Sequence, residues 1–191
     1  MHKARLETFT DGVVAILITI TVLELHVPEG TDWESFAHLG PTLLAYVLSF
    51  MYLGTYWNKH HHLFQVAKVV DARVMWANLH LLFWLSLLPF ATAWMGENGF
   101  APVPTAVYAV VMVASASAYF ILSQALIRVK DQPKALEAVL GMDMKGVLST
   151  AAAVAAIPIA LVAPLVSMAI FIGMLAVWIV PDRRMERALK G

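Results

Sequence analysis

RLETFTDGVVAILITITVLEL, residues 5–25, decides how the rest of the chain is read. Its 21 residues read as a membrane helix, since about 20 mostly apolar residues span the hydrocarbon of a bilayer. Yet Arg5, Glu7 and Asp11 sit at one end, Glu24 at the other, and Thr19 and Thr21 lie between them. The run closes in LELHVPEG, with no small-residue cleavage pattern, so this helix is expected to persist in the mature protein.

The whole chain supports a membrane reading. Of its 191 residues 60% are hydrophobic and 14% charged, and the mean hydropathy is +0.73, too apolar for an ordinary soluble domain. Thirteen Lys and Arg balance thirteen Asp and Glu, so no basic surface argues for nucleic acid. The absence of cysteine excludes disulfides, thiolate metal sites and a cysteine nucleophile.

Apolar segments fall at about 6–27, 38–58, 73–95, 103–128 and 146–180. The last has no charge from Gly146 through Val180 and as one helix would reach about 50 Å, against roughly 30 Å of hydrocarbon. Pro158 and Pro164 lie near its middle, and a turn around Ala163 and Pro164 gives spans of 146–162 and 165–180. The chain then reads as a single all-α membrane domain of six transmembrane helices over 1–191.

The placement of Lys and Arg tests the count independently, because these residues collect on the cytoplasmic side. Lys3 and Arg5 precede span 1; Lys59, Lys68 and Arg73 lie between spans 2 and 3; Arg128, Lys130, Lys134 and Lys145 lie between spans 4 and 5; Arg183, Arg184, Arg187 and Lys190 follow span 6. The opposite connections carry only acids, namely Glu29, Asp32 and Glu34, then Glu97. Both termini are therefore expected in the cytoplasm. In the longest inner connection, DQPKALEAVLGMD, Pro133 and the Ala/Leu/Glu content predict a short interfacial helix.

On a helical wheel Gly12, Ile16, Thr19, Ile20 and Leu23 share one narrow face of helix 1. Such a face either meets lipid and neighbouring helices or lines something more specific. Thr19 and Thr21 can each bond their own backbone. Arg5 and Asp11 lie about 9 Å apart along the axis on different faces, so they need partners on other helices. Alternatively the helix begins near Asp11, with Thr10 or Asp11 as its N-cap.

YWNKHHHLF, residues 56–64, closes span 2 at the same membrane boundary. Its three consecutive histidines point about 100° apart and cannot share one metal ion on a helix. Either His60 or His61 is placed to face Asp11, while Trp57 suits the interfacial aromatic belt. In span 3, Asn78 lies near the same boundary, Ser86 can bond its own backbone and Pro89 is expected to kink the helix. There is no P-loop, GxGxxG, HExxH or GxSxG, so no catalytic residue is assigned, and there is no TVGYG-like carbonyl filter.

RLETFTDG resembles the RxxxFSDG signature that opens helix 1 in the transmembrane-protein-175 family of endosomal and lysosomal potassium channels and their prokaryotic relatives. YWNKHH and NLHLLFWLSLLPF follow in the expected order, and Thr10 stands where serine is usual. The resemblance implies a homotetramer in the cell membrane, with helix 1 of each copy lining a K+ pathway and no cofactor. It carries the hydrophobic constriction to Ile16, Ile20 and Leu23, and the selectivity layer to Thr19. The polar network falls on Arg5, Asp11, His60 or His61, and Asn78. Glu24, with the acids beyond it, could make the outer mouth electronegative. A proton-coupled transporter using Asp11 and His60 or His61 is the alternative to a channel.

Overall fold

Proline and aspartate set most of the helix starts. The computed structural model describes residues 3–130, 132–133, 136 and 144–179, and its helices are α1 (Lys3–Leu23), α2 (Trp33–Ala37), α3 (Gly40–Val66), α4 (Ala72–Ser86), α5 (Leu88–Glu97), α6 (Pro102–Ile127), α7 (Met144–Val162) and α8 (Pro164–Ile179). Asp32 caps α2 by accepting from the Ser35 N–H at 2.7 Å. Asp71 caps α4 through the Val74 N–H at 2.9 Å. Prolines stand in the first turns of α3, α5 and α6, where the missing N–H has no helical partner to lose.

Among the described residues four helical stretches are long and apolar enough to cross a membrane: Lys3–Leu23, Ala72–Glu97, Pro102–Ile127 and Lys145–Val162. Pro164–Ile179 is apolar but shorter, while α3, at 27 residues, is longer and more polar in its last turns. The expected spans shift in three places. Span 1 stops at Leu23, where the Leu25 N–H turns back onto the Val22 carbonyl ahead of Pro28. Span 2 continues to Val66, because nothing in NKHHHLFQV breaks a helix. Span 3 is interrupted at Leu87, since Pro89 removes a helical donor and crowds the turn before it. The division of the long final segment falls at Ala163, directly before Pro164. The expected interfacial helix over 131–143 and the basic residues of 180–191 lie almost wholly outside the described residues.

Helix α1 packs against α3, α4 and α5, while α6 packs against α4, α5 and α7. Helix α8 lies along α7 and also touches α3 and α6. Between lipid-soluble helices there is no hydrophobic gain from association, so close packing and interhelical hydrogen bonds must hold the bundle. Small residues supply the first: a Cβ on Gly96 of α5 would stand 2.8 Å from Thr42 Cα of α3, so only glycine allows that approach. Hydroxyls supply the second. Ser49 on α3 pairs with Thr92 on α5 at 2.6 Å and donates to Tyr108 on α6 at 3.3 Å. Tyr52 donates to the Phe171 carbonyl at 2.7 Å, and Ser167 to the Ala156 carbonyl at 3.0 Å.

Candidate functional site

Helix α1 has two faces with opposite fates. Leu6, Thr10, Val14, Leu17 and Thr21 are buried against the bundle. Ile16, Ile20 and Leu23 are 57%, 37% and 77% exposed, and Asp11, Gly12 and Thr19 are exposed with them. The face that groups Gly12, Ile16, Thr19, Ile20 and Leu23 is thus the one the protomer leaves bare. Because the helix starts at Lys3, Thr10 and Asp11 are helix-interior residues and not caps.

Thr19 Oγ1 donates to the Ile16 carbonyl at 2.8 Å. Its proton is therefore committed to the backbone, leaving the oxygen lone pairs as acceptors. Thr21 makes the equivalent bond to Leu17 at 2.7 Å, but on the buried face.

The buried face is fixed by a three-residue chain. Asn78 Nδ2 on α4 donates to Thr10 Oγ1 at 2.9 Å, and Asn78 Oδ1 meets His60 Nε2 on α3, also at 2.9 Å. An amide oxygen only accepts, so His60 carries its proton on Nε2. The His60 ring stacks on Phe64 at 4.3 Å between centroids. All three polar residues are at most 2% exposed, which makes their mutual pairing the alternative to unsatisfied groups inside the bundle.

Asp11 takes a different partner. Its Oδ1 accepts from Trp57 Nε1 at 2.9 Å. Trp57 stacks on His61 at 5.6 Å between centroids, and His61 Nε2 meets Gln65 Nε2 at 2.8 Å. The structure thus brings His60 and Asn78 together, adds Thr10, and joins Asp11 to α3 through Trp57, which sequence reading had given to the aromatic belt. Arg5 is exposed beside Ala4, Thr8 and Phe9 and makes no salt bridge among the described residues. Glu24 lies just past the C-terminal end of α1 in a groove of about 550 Å³ between α1 and α5. At its rim His26 Nδ1 stands 3.1 Å from Glu97 Oε1.

Lys3, which sequence reading used only for orientation, has a structural task. Its Nζ donates to the Phe64 and Ala67 carbonyls at the end of α3, at 2.6 and 3.0 Å, and lies 3.9 Å from Glu7. Among the described residues no three His, Cys, Asp or Glu are grouped to hold a metal ion. His60, His61 and His62 diverge as three successive helical residues must.

The apolar helices, one of them pinned along one side and bare along the other, define a helical membrane protein. The family description "Endosomal/lysosomal potassium channel TMEM175" matches residues 5–89. The chain is 45% identical over 190 residues to a potassium channel of Chryseobacterium sp. (strain P1-3), covering 100% of this chain and 99% of the other. It is 32% identical over 103 residues to the endosomal/lysosomal proton channel TMEM175 of Gallus gallus, covering 48% of this chain and 21% of that one. The fold matches the crystal structure of a lysosomal potassium-selective channel TMEM175 homolog from Chamaesiphon minutus, with a TM-score of 0.80 and 26% identity over 93% of this chain and 96% of that one. The chain belongs to the TMEM175 family, and it is a membrane channel protein rather than an enzyme.

Proposed function

We propose that this protein is a potassium-selective channel of the cell membrane, formed by four copies around an axis lined by α1. In this reading each copy crosses the bilayer six times as one domain, with both termini cytoplasmic. The observation that carries it is the bare face of α1, where Ile16, Ile20 and Leu23 are exposed although the opposite face is tied down by buried bonds. Four copies of that face make successive aliphatic rings, which gate by steric closure and dewetting and not by carbonyl coordination. Thr19, one turn inside Leu23, contributes a ring of hydroxyl oxygens whose protons point into the backbone, a lining suited to cations. Glu24 raises the local cation concentration at the outer end. The relatives named as potassium channels support K+ as the permeant ion.

Single-channel recording of the reconstituted protein in opposed K+ and Na+ gradients tests the reading. Unit steps reversing near the K+ potential are expected, and Ile20→Asn should raise the conducting fraction by making the ring wettable. Conductance and gating indifferent to Ile20→Asn would remove this residue from the pathway. A proton-coupled carrier acting through Asp11 and a histidine is less well supported. Among the described residues neither His60 nor His61 bonds Asp11, and the partner of His60 is an amide, which does not titrate. The name proton channel given to the vertebrate relatives makes proton permeation through the same pathway worth measuring in those recordings.

A further inference from the structure

The inner end of α1 is not held by α1's own packing alone. The last carbonyls of a helix lack partners and form the negative end of its dipole, so a cation placed there is favoured. Lys3 occupies that position for α3: two of its three N–H groups reach the Phe64 and Ala67 carbonyls, and Glu7 lies beside it. Ala67 is the extended residue that ends α3, and the segment it opens is gripped from another side. Gln132, after α6, accepts from the Lys68 N–H with Oε1 at 3.0 Å and donates to the Val69 carbonyl with Nε2 at 2.8 Å. Residues 67–69 therefore stand between two side chains from distant parts of the chain, 64 and 63 residues away respectively.

We infer that Lys3 and Gln132 are positioning residues for the pore helix, which together couple the inner connection following α6 to the base of α1. The inference rests on the reading of α1 as the pore helix. Withdrawing Gln132 from Lys68 and Val69 frees the 67–69 segment and moves the carbonyls on which Lys3 is anchored. The base of α1, two turns below Asp11, then shifts relative to α3.

The test uses the full chain in planar bilayers and separates open probability from unit conductance. Lys3→Met removes the charge at nearly constant length, Lys3→Arg preserves it, and Gln132→Ala deletes the second clamp. A hydrogen bond from a charged group contributes enough to shift a two-state equilibrium by about tenfold or more. Lys3→Met is expected to change open probability by that factor at unaltered unit conductance, and Lys3→Arg to stay near the unmodified channel. Gln132→Ala should act in the same direction, and the double variant should not exceed Lys3→Met, because the two residues act in series. Unchanged open probability, fully additive effects in the double variant, or a change confined to unit conductance would each overturn the inference. Should Lys3→Met fail to assemble, Gln132→Ala decides alone by the same open-probability criterion. Ile20→Asn, read for unit conductance in the same bilayers, fails independently if α1 does not line the pathway.

Discussion

Replacing Asn78 by leucine conserves volume and removes both bonds of the Thr10–Asn78–His60 chain at once. The two lost bonds are 2.9 Å each and wholly buried. Interhelical hydrogen bonds in membranes contribute about 0.6 kcal/mol on average and about 1.7 at most, so the pair sets a loss of about 1–3 kcal/mol. The two ends do not share it equally. Thr10 can turn its hydroxyl to a carbonyl of its own helix, whereas His60 is stacked on Phe64 and keeps an N–H with nowhere to point. Most of the loss therefore sits at His60. Asn78→Leu combined with His60→Phe, which removes the orphaned donor, should recover at least half of it, because deleting both partners costs less than deleting one. Equilibrium unfolding in mixed micelles titrated with dodecyl sulfate measures both variants. An unshifted midpoint for Asn78→Leu, or a double variant destabilised by the sum of its single losses, would refute the assignment of this chain as the anchor of α1.

Gly96→Ala should destabilise the bundle by about 1–3 kcal/mol through overpacking, since the new methyl meets the α3 backbone at 2.8 Å; the same micelle titration reads it, and Gly12→Ala, which meets nothing within 4 Å, serves as the control. If Thr19 lines the pathway as proposed, Thr19→Val keeps shape but loses the hydroxyl oxygen, and the K+ over Na+ permeability ratio should fall by about two- to tenfold, the worth of one hydrogen-bond-scale interaction; an unaltered reversal potential in bi-ionic recordings would exclude Thr19 from selectivity. The hydrogen bonds to Ser35 hold the Asp32 carboxyl below its usual 3.8. A lowered folded-state value means that this cap is complete above pH 3.8 and is lost as the pH falls below it towards the folded value. Carboxyl 13C shifts across an acid titration should show Asp32 protonating after its unstructured reference and α2 loosening with it.

Much of the architecture follows from spacing. The bare face of α1 is legible because Gly12, Ile16, Thr19, Ile20 and Leu23 recur at helical period, and the break at Ala163 is legible because Pro164 cannot continue the helix before it. The anchor was harder to read. Choosing His60 over His61 requires following the buried stripe of α3 through Ser49, Tyr52 and Tyr56 to His60, a pattern at i, i+3, i+7 and i+11 that three adjacent histidines obscure. Thr10 reads as a candidate cap because it is a hydroxyl beside an aspartate, and only the start of the helix at Lys3 places it inside, where it joins the buried chain. Trp57 was hidden for another reason: an indole near a membrane boundary satisfies a composition rule whether or not its N–H has a specific partner. The interruption at Leu87 lies two residues before the proline responsible for it, since proline disturbs the turn that precedes it.

The division of α1 into a held face and a bare face separates two kinds of tolerance to change. Thr10, Val14 and Leu17 are answerable to the subunit's own fold, and a substitution there is felt by α3, α4 or α5. Ile16, Thr19 and Leu23 are exposed within the subunit and Ile20 is more than half covered beside α5, so a new side chain at the first three disturbs the protomer's own packing far less than one at Thr10 or Leu17. In the proposed tetramer those same positions meet only one another and the passing ion. In that assembly conduction and foldability are written on opposite faces of a single helix, and the permeation properties of such a channel can drift through substitution at a handful of sites while the subunit that carries them stays the same.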